Sequence, residues 1–115
     1  MKCEYILNQS DPDFWDQFSE LVKKLKANIC FEAIAGDITG EILNRMPYKS
    51  RLILYGMLSE QPVGGIDPLM VIGRDLVMEA FLLNEWIKEK SLWSLNKIVK
   101  KVQSLISTKA FHSQV

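Results

Sequence analysis

A chain of 115 residues that is 48% apolar is long enough for one domain with a single core and too apolar for a disordered polymer. Its 14 basic and 14 acidic residues cancel, which argues against a dedicated nucleic-acid binder. No run of about 18 apolar residues occurs, so no membrane span is expected, and Met1-Lys2-Cys3-Glu4 lacks the apolar core of a signal peptide.

Glu4–Asn8 reads as a short strand. Asp11-Pro12 then predicts a helix start, with Asp11 as N-cap, Pro12 at the first helical position and Asp13 near the positive helix end. Phe14, Phe18, Leu21, Val22 and Leu25 recur at helical spacing, while Trp15, Lys23, Lys24 and Lys26 lie off that stripe, so the helix covers 12–27. Ile29–Ala35 is a short apolar run ending in the small-residue turn Ala35-Gly36-Asp37, as in a buried strand. Asp37–Arg45 reads as a helix capped by Asp37 and closed by Pro47, which cannot continue it. Leu52–Tyr55 is the next strand, ending in Tyr55-Gly56-Met57. Strand, helix, strand is the unit of a parallel sheet, and open sheets bind ligands beyond the carboxyl ends of their strands.

Asp67-Pro68 repeats the cap-plus-proline signature, predicting a short helix to Ile72 with Gly73 as its stop. Leu76–Leu83 reads as a strand and Asn84–Lys90 as a helical turn. Leu92, Leu95, Ile98, Val99, Val102, Leu105 and Ile106 make the apolar stripe of a last long helix. From Lys88 to Lys109 six lysines face one acid, Glu89; charge clusters of this kind form solvated helix faces. The fold class is therefore α/β: about four strands, mostly parallel, with flanking helices.

Catalytic motifs are absent. Cys3, Cys30 and His112 have no metal-ligand spacing, no Ser/His/Asp order appears, and no catalytic residue is assigned. Gly64-Gly65 is not followed by Lys-Ser or Lys-Thr, so it reads as a flexible loop rather than a phosphate cradle. Cys30 is a small core residue, and two cysteines without a disulfide framework suit a reducing compartment, either the cytoplasm or the mitochondrial matrix. Glu32 lies inside a strand, where an acid is costly unless paired. It either faces the strand's end, meeting a ligand or a capping donor, or sits half-exposed at a sheet edge. Ser59 and Asn84, just beyond strand ends, are ligand contacts or ordinary loop residues.

The runs Phe31–Asp37, Tyr55–Ser59 and Phe81–Trp86 together resemble the second half of the cofactor-binding domain of the medium-chain dehydrogenases/reductases. The branch is that of the zinc-free quinone reductases and enoyl thioester reductases. There one strand ends in Gly-Gly, the next in an aromatic-Gly pair, and a third element reads Gly-Phe-Trp-Leu. Tyr55-Gly56 matches the second feature, Ala35-Gly36 the first with Ala for Gly, and Ala80-Phe81-Leu82-Leu83 the third with Ala for Gly and Leu for Trp. Glu4–Asn8 is similar to the strand carrying Val-Ile-Asn-Tyr, with Gln9 where Tyr is usual.

The resemblance implies a partial Rossmann-like sheet over 1–115, as a single partial nucleotide-binding domain. It implies an oxidoreductase that uses NADPH or NADH to reduce a quinone or the activated double bond of an enoyl thioester. Nucleotide contacts would fall on Asn8 or Gln9, on Ala33, Ala35 and Gly36, on Tyr55, Gly56, Leu58 and Ser59, and on Phe81, Leu82 and Leu83. Tyr55 and the Leu58 backbone would line the nicotinamide, and Phe81–Leu83 would offer backbone groups to its carboxamide. The family's Gly-rich phosphate turn and its barrel-like catalytic domain have no counterpart here. The chain is thus expected to be an oxidoreductase fragment with weak nucleotide binding or none and no turnover of its own. The alternative is a non-catalytic α/β interaction module or truncated paralogue. In the family strand order 3-2-1-4-5-6, the strands that separate Glu4–Asn8 from Ile29–Ala35 are also missing, which bares an edge. Two outcomes are expected: Glu4–Asn8 moves in beside Ile29–Ala35, or that edge pairs with another chain in a homo-oligomer.

Overall fold

The computed structural model describes residues 3–108. They fall into two compact units: Leu7–Phe81, and the described parts of Met1–Ile6 with Leu82–Val115. In the first unit helix α1 (Phe14–Leu25) precedes strand β1 (Ile29–Glu32), helix α2 (Asp37–Arg45), strand β2 (Arg51–Leu54), helix α3 (Pro68–Arg74) and strand β3 (Val77–Ala80). The strands form one parallel sheet in the order β1-β2-β3, with Phe31 beside Ile53 and Ile53 beside Glu79.

Local chemistry explains the helices. In α1, Phe14, Phe18 and Val22 follow one another at four-residue spacing, and the Trp15 ring packs edge-on against both phenylalanines, with centroids at 4.8 and 5.8 Å. Lys23 and Lys24 in the last turn complement the negative helix end. Helix α3 starts as expected, with Asp67 accepting a hydrogen bond from the Leu69 amide at 2.9 Å and Pro68 in its first turn.

One face of the sheet carries the core. Val22, Leu43, Met46, Leu52 and Leu76 are buried together, with Phe18, Ile42, Leu54, Ile66 and Val71 packed around them. Strand alternation sends Ile29, Phe31, Ile53 and Val77 to the other face, where Phe31 is 69% exposed. Arg51 and Glu79 pair on that same face at 2.6 Å.

The second unit contains helices α4 (Leu83–Lys88) and α5 (Leu92–Ser107). Ser91 caps α5 by accepting from the Ser94 amide at 3.2 Å. On the apolar stripe of α5, Leu92, Val99, Val102 and Ile106 are exposed and Leu95, Ile98 and Leu105 are half-buried. Among the described residues no helix is long and apolar enough to cross a membrane. Lys109 and His112 lie outside the described residues.

The α/β class holds, but several boundaries move. Among the described residues there are three strands rather than about four, because Glu4–Asn8 is irregular. The chain there enters a turn in which the Ser10 amide donates to the Asn8 side chain at 3.1 Å and the Asp11 amide to the Asn8 carbonyl at 3.0 Å. Such side-chain bonds compete with a sheet ladder. Glu4–Asn8 therefore does not fill the edge of β1, which pairs only with β2 among the described strands. The same turn takes up Asp11 and Pro12, so the cap of α1 is Asp13. Gly36 rather than Asp37 is the cap of α2, and Gly73 lies within α3, which stops at Asp75 in the left-handed region (φ 51°).

Candidate functional site

The carboxyl ends of β1 and β2 open into two loops, 33–36 and 55–67, that are laced together by their backbones. The Leu58 amide donates to the Ala33 carbonyl at 3.0 Å, the Ser59 amide to Ile34 at 2.8 Å and the Gly64 amide to Gly36 at 3.3 Å. Between the loops lies a cleft of about 430 Å³, lined by Ile34–Ile38 on one side and by Ser59 and Gln61–Gly64 on the other. Its size is that of a small-ligand site, at the end of the sheet where open α/β folds bind.

Two glycines make the close approach possible. Gly36 has φ 77° and ψ −160°, a region essentially closed to other residues, and a Cβ there would stand 3.2 Å from the Ser59 Oγ. A Cβ on Gly56 would come within 2.8 Å of the Ala33 carbonyl oxygen. Ala35, with φ 63°, occupies the left-handed region that glycine adopts freely. Gly36→Ala is expected to destabilise the chain by about 2 kcal/mol through backbone strain and to distort the cleft; the shift of the urea midpoint at unchanged m-value measures it.

Glu32 shapes the first loop from below. Its carboxylate is buried and accepts from the Ile34 amide at 2.5 Å, the Ala35 amide at 3.0 Å and the Thr39 hydroxyl at 2.6 Å. Of the two readings open at the level of sequence, the capping donor is the one realised, and the half-exposed edge position is not. Gly36 has no side chain with which to cap α2, and the Glu32 carboxylate bonds instead to Thr39 in its first turn. On the same strand, burial and the neighbouring Glu32 charge raise the pKa of the Cys30 thiol.

The expected contact residues separate into groups. Ala35, Gly36 and Ser59 line the cleft, and Ala33, Gly56 and Leu58 form its backbone support. Tyr55 and Phe81 meet elsewhere, in an apolar cleft of about 290 Å³ with Phe31 and Ile53 on the face of the sheet opposite the core. Gln9 lies in the exposed turn before α1 and lines neither cleft. Leu82 and Leu83 are exposed at the start of α4, in the other compact unit. Sequence reasoning missed Thr39 and Gln61–Val63, and it set Gly64 aside as part of a flexible loop, whereas its amide is bonded to the Gly36 carbonyl in the cleft wall. The one signal for them was Gly40, a glycine inside a helix, which signals a close backbone neighbour. Among the described residues no group of three His, Cys, Asp or Glu could hold a metal ion.

A parallel strand–helix–strand–helix–strand unit with its cleft at the carboxyl ends is a partial Rossmann-like fold. The chain is similar to reductases of the medium-chain dehydrogenase/reductase superfamily, in the quinone reductase and enoyl thioester reductase branch expected from its motifs. It is 27% identical over 94 residues to the mitochondrial enoyl-[acyl-carrier-protein] reductase of Xenopus tropicalis, covering 82% of this chain and 26% of that protein. A candidate NADPH:quinone reductase from Mesorhizobium loti superposes with a TM-score of 0.80 at 25% identity, over 96% of this chain and 32% of the other. The mitochondrial 2-enoyl thioester reductase heterodimer of Candida tropicalis shares the fold, with a TM-score of 0.73 at 16% identity over 91% of this chain and 29% of its own. The chain thus spans about a quarter to a third of the length of these relatives. No protein-family model matches it.

Proposed function

We propose that the chain supplies part of the nicotinamide-nucleotide site of a reductase that transfers hydride from NADPH or NADH to a quinone or to the activated double bond of a 2-enoyl thioester. The observation that carries this reading is the laced two-loop cleft at Ala35, Gly36 and Ser59, within a fold shared with NADPH:quinone reductases. When bound, the nucleotide supplies the hydride; the residues of this chain bind and orient it. Gly36 lets the backbone come close to a ligand, Gly56 lets the two loops meet at Ala33, and the Ser59 hydroxyl offers a hydrogen bond at the cleft wall. In this reading residues 1–115 correspond to one partial nucleotide-binding domain. A reducing compartment, the cytoplasm or the mitochondrial matrix, suits its two free thiols.

Weak binding is the expectation for these 115 residues. A titration with NADPH, followed by amide shifts in NMR spectra, is expected to show saturable movement at Ala35, Gly36 and Ser59 with a Kd on the order of 1 mM, about 4 kcal/mol of binding free energy. No reduction of an enoyl thioester or a quinone accompanies it. An unmoved spectrum at several times that concentration would remove the nucleotide reading.

A second reading, a non-catalytic α/β interaction module, is favoured by one observation. The sheet face carrying Ile29, Phe31 and Val77 is exposed, and parallel sheets are ordinarily covered on both faces. The same reading uses the open edge of β1 for association between copies. Its signature is self-association in light scattering with no response to either nucleotide.

A further inference from the structure

We propose that Glu32 is a positioning residue for the nucleotide cleft: without lining the cleft, it sets ligand affinity through the loop it holds, with Thr39 as its partner. The inference rests on the nucleotide reading above. Glu32 is 4% exposed and is not among the residues lining the cleft. Every hydrogen bond of its carboxylate goes to a group that shapes the cleft wall: the Ile34 and Ala35 amides and the Thr39 hydroxyl, which is itself fully buried.

These contacts do something that the loop sequence does not do by itself. Ala35 is held at φ 63° and Gly36 at φ 77°, two successive residues with positive φ. Without outside partners, an alanine prefers negative φ. The carboxylate accepts from both amides leading into this kink and so favours the kinked form. The Ser59 amide is in turn bonded to the Ile34 carbonyl, so the first loop carries the second with it. Thr39 fixes the carboxylate from the α2 side, and no buried polar side-chain atom among the described residues is left without a partner. The ligand-facing wall is thus organised by a charge that a ligand need not touch.

Thr39→Val removes one hydroxyl and keeps the shape of the side chain, and Thr39→Ser restores the hydroxyl. Amide hydrogen exchange at Ile34 and Ala35, referred to the core amide of Leu52, is expected to speed up at least tenfold in Thr39→Val and to return in Thr39→Ser. NADPH affinity is expected to fall about tenfold in Thr39→Val and to recover in Thr39→Ser, while circular dichroism stays unchanged. Unchanged relative exchange at Ile34 and Ala35 in both Thr39→Val and Glu32→Gln would overturn the proposal. So would a loosened loop with undiminished affinity. If the unaltered chain binds no NADPH, the nucleotide reading fails, and the exchange measurement still decides whether Glu32 and Thr39 hold the loop.

Discussion

Gly40→Ala is expected to destabilise the chain by roughly 3 kcal/mol or more, because a methyl group has no room at that position. Alanine is the better helix former, and on propensity alone the change in mid-α2 would stabilise by about 0.5–1 kcal/mol. The tertiary contact reverses the sign. A Cβ on Gly40 would run into the Gly64 carbonyl, and it would lie 2.6 Å from the Gly65 carbonyl carbon and 2.8 Å from the Ile66 nitrogen. These are backbone atoms, which have no rotamer to move out of the way. The loop is pinned further by Asn44, whose side chain donates to the Gly65 carbonyl and accepts from the Asp67 amide, both at 2.8 Å. Relief therefore requires α2 to separate from the loop that forms the far wall of the cleft. Urea unfolding of the two forms checks this, with the midpoint falling in Gly40→Ala. A midpoint that rises instead would show that the loop yields easily and that propensity governs.

Glu32→Ala is expected to cost about 3–5 kcal/mol. It strands the Ala35 amide and the Thr39 hydroxyl in a buried setting, at roughly 1–3 kcal/mol each, and takes a partner from the half-exposed Ile34 amide, which water partly replaces. Removing the charge offsets part of that loss, since a buried carboxylate carries a desolvation penalty of its own. Glu32→Gln keeps one acceptor for the amides and can donate to Thr39, so its expected cost is only about 1–2 kcal/mol. Thermal unfolding separates the variants: the melting temperature drops by more than ~10 °C in Glu32→Ala and by roughly half as much or less in Glu32→Gln. Equal losses in the two would mean that the negative charge, not the geometry of acceptance, holds the loop.

These two expectations also mark where sequence reasoning stops. Gly40 was visible as a glycine in a helical window, but its neighbour is a loop some 25 residues further on, and no period or motif connects them. Glu32 was visible as an acid in an apolar strand, and its need for partners followed from elementary solvation. Which partners it found could not be read from the chain, because Thr39 is reached only after the backbone turns back through Ala35 and Gly36.

The strands and helices of the first unit were legible because their signals are local. Asp67-Pro68 caps α3 as expected, Pro47 follows the end of α2, and the apolar runs at Ile29 and Arg51 pair in parallel around the helix between them. The order of the small-residue turns also pointed to the right relatives. Side-chain competition defeated the reading of Glu4–Asn8: its apolar triplet looks like a strand, yet Asn8 and Asp11 close a turn at its end.

By itself the sequence determined the α/β alternation, the parallel sense of the strands joined by α2, and the position of the loops at their carboxyl ends, since each depends on hydrophobic period and turn residues a few positions apart. Only the tertiary structure decided how the expected contact residues divide. Ala35, Gly36 and Ser59 come together because two loops exchange backbone hydrogen bonds. Tyr55 and Phe81 turn to the opposite face of the sheet. Side-chain alternation after a strand end depends on where the ladder stops. That point is set by the neighbouring strand, and a linear reading of residues does not contain it.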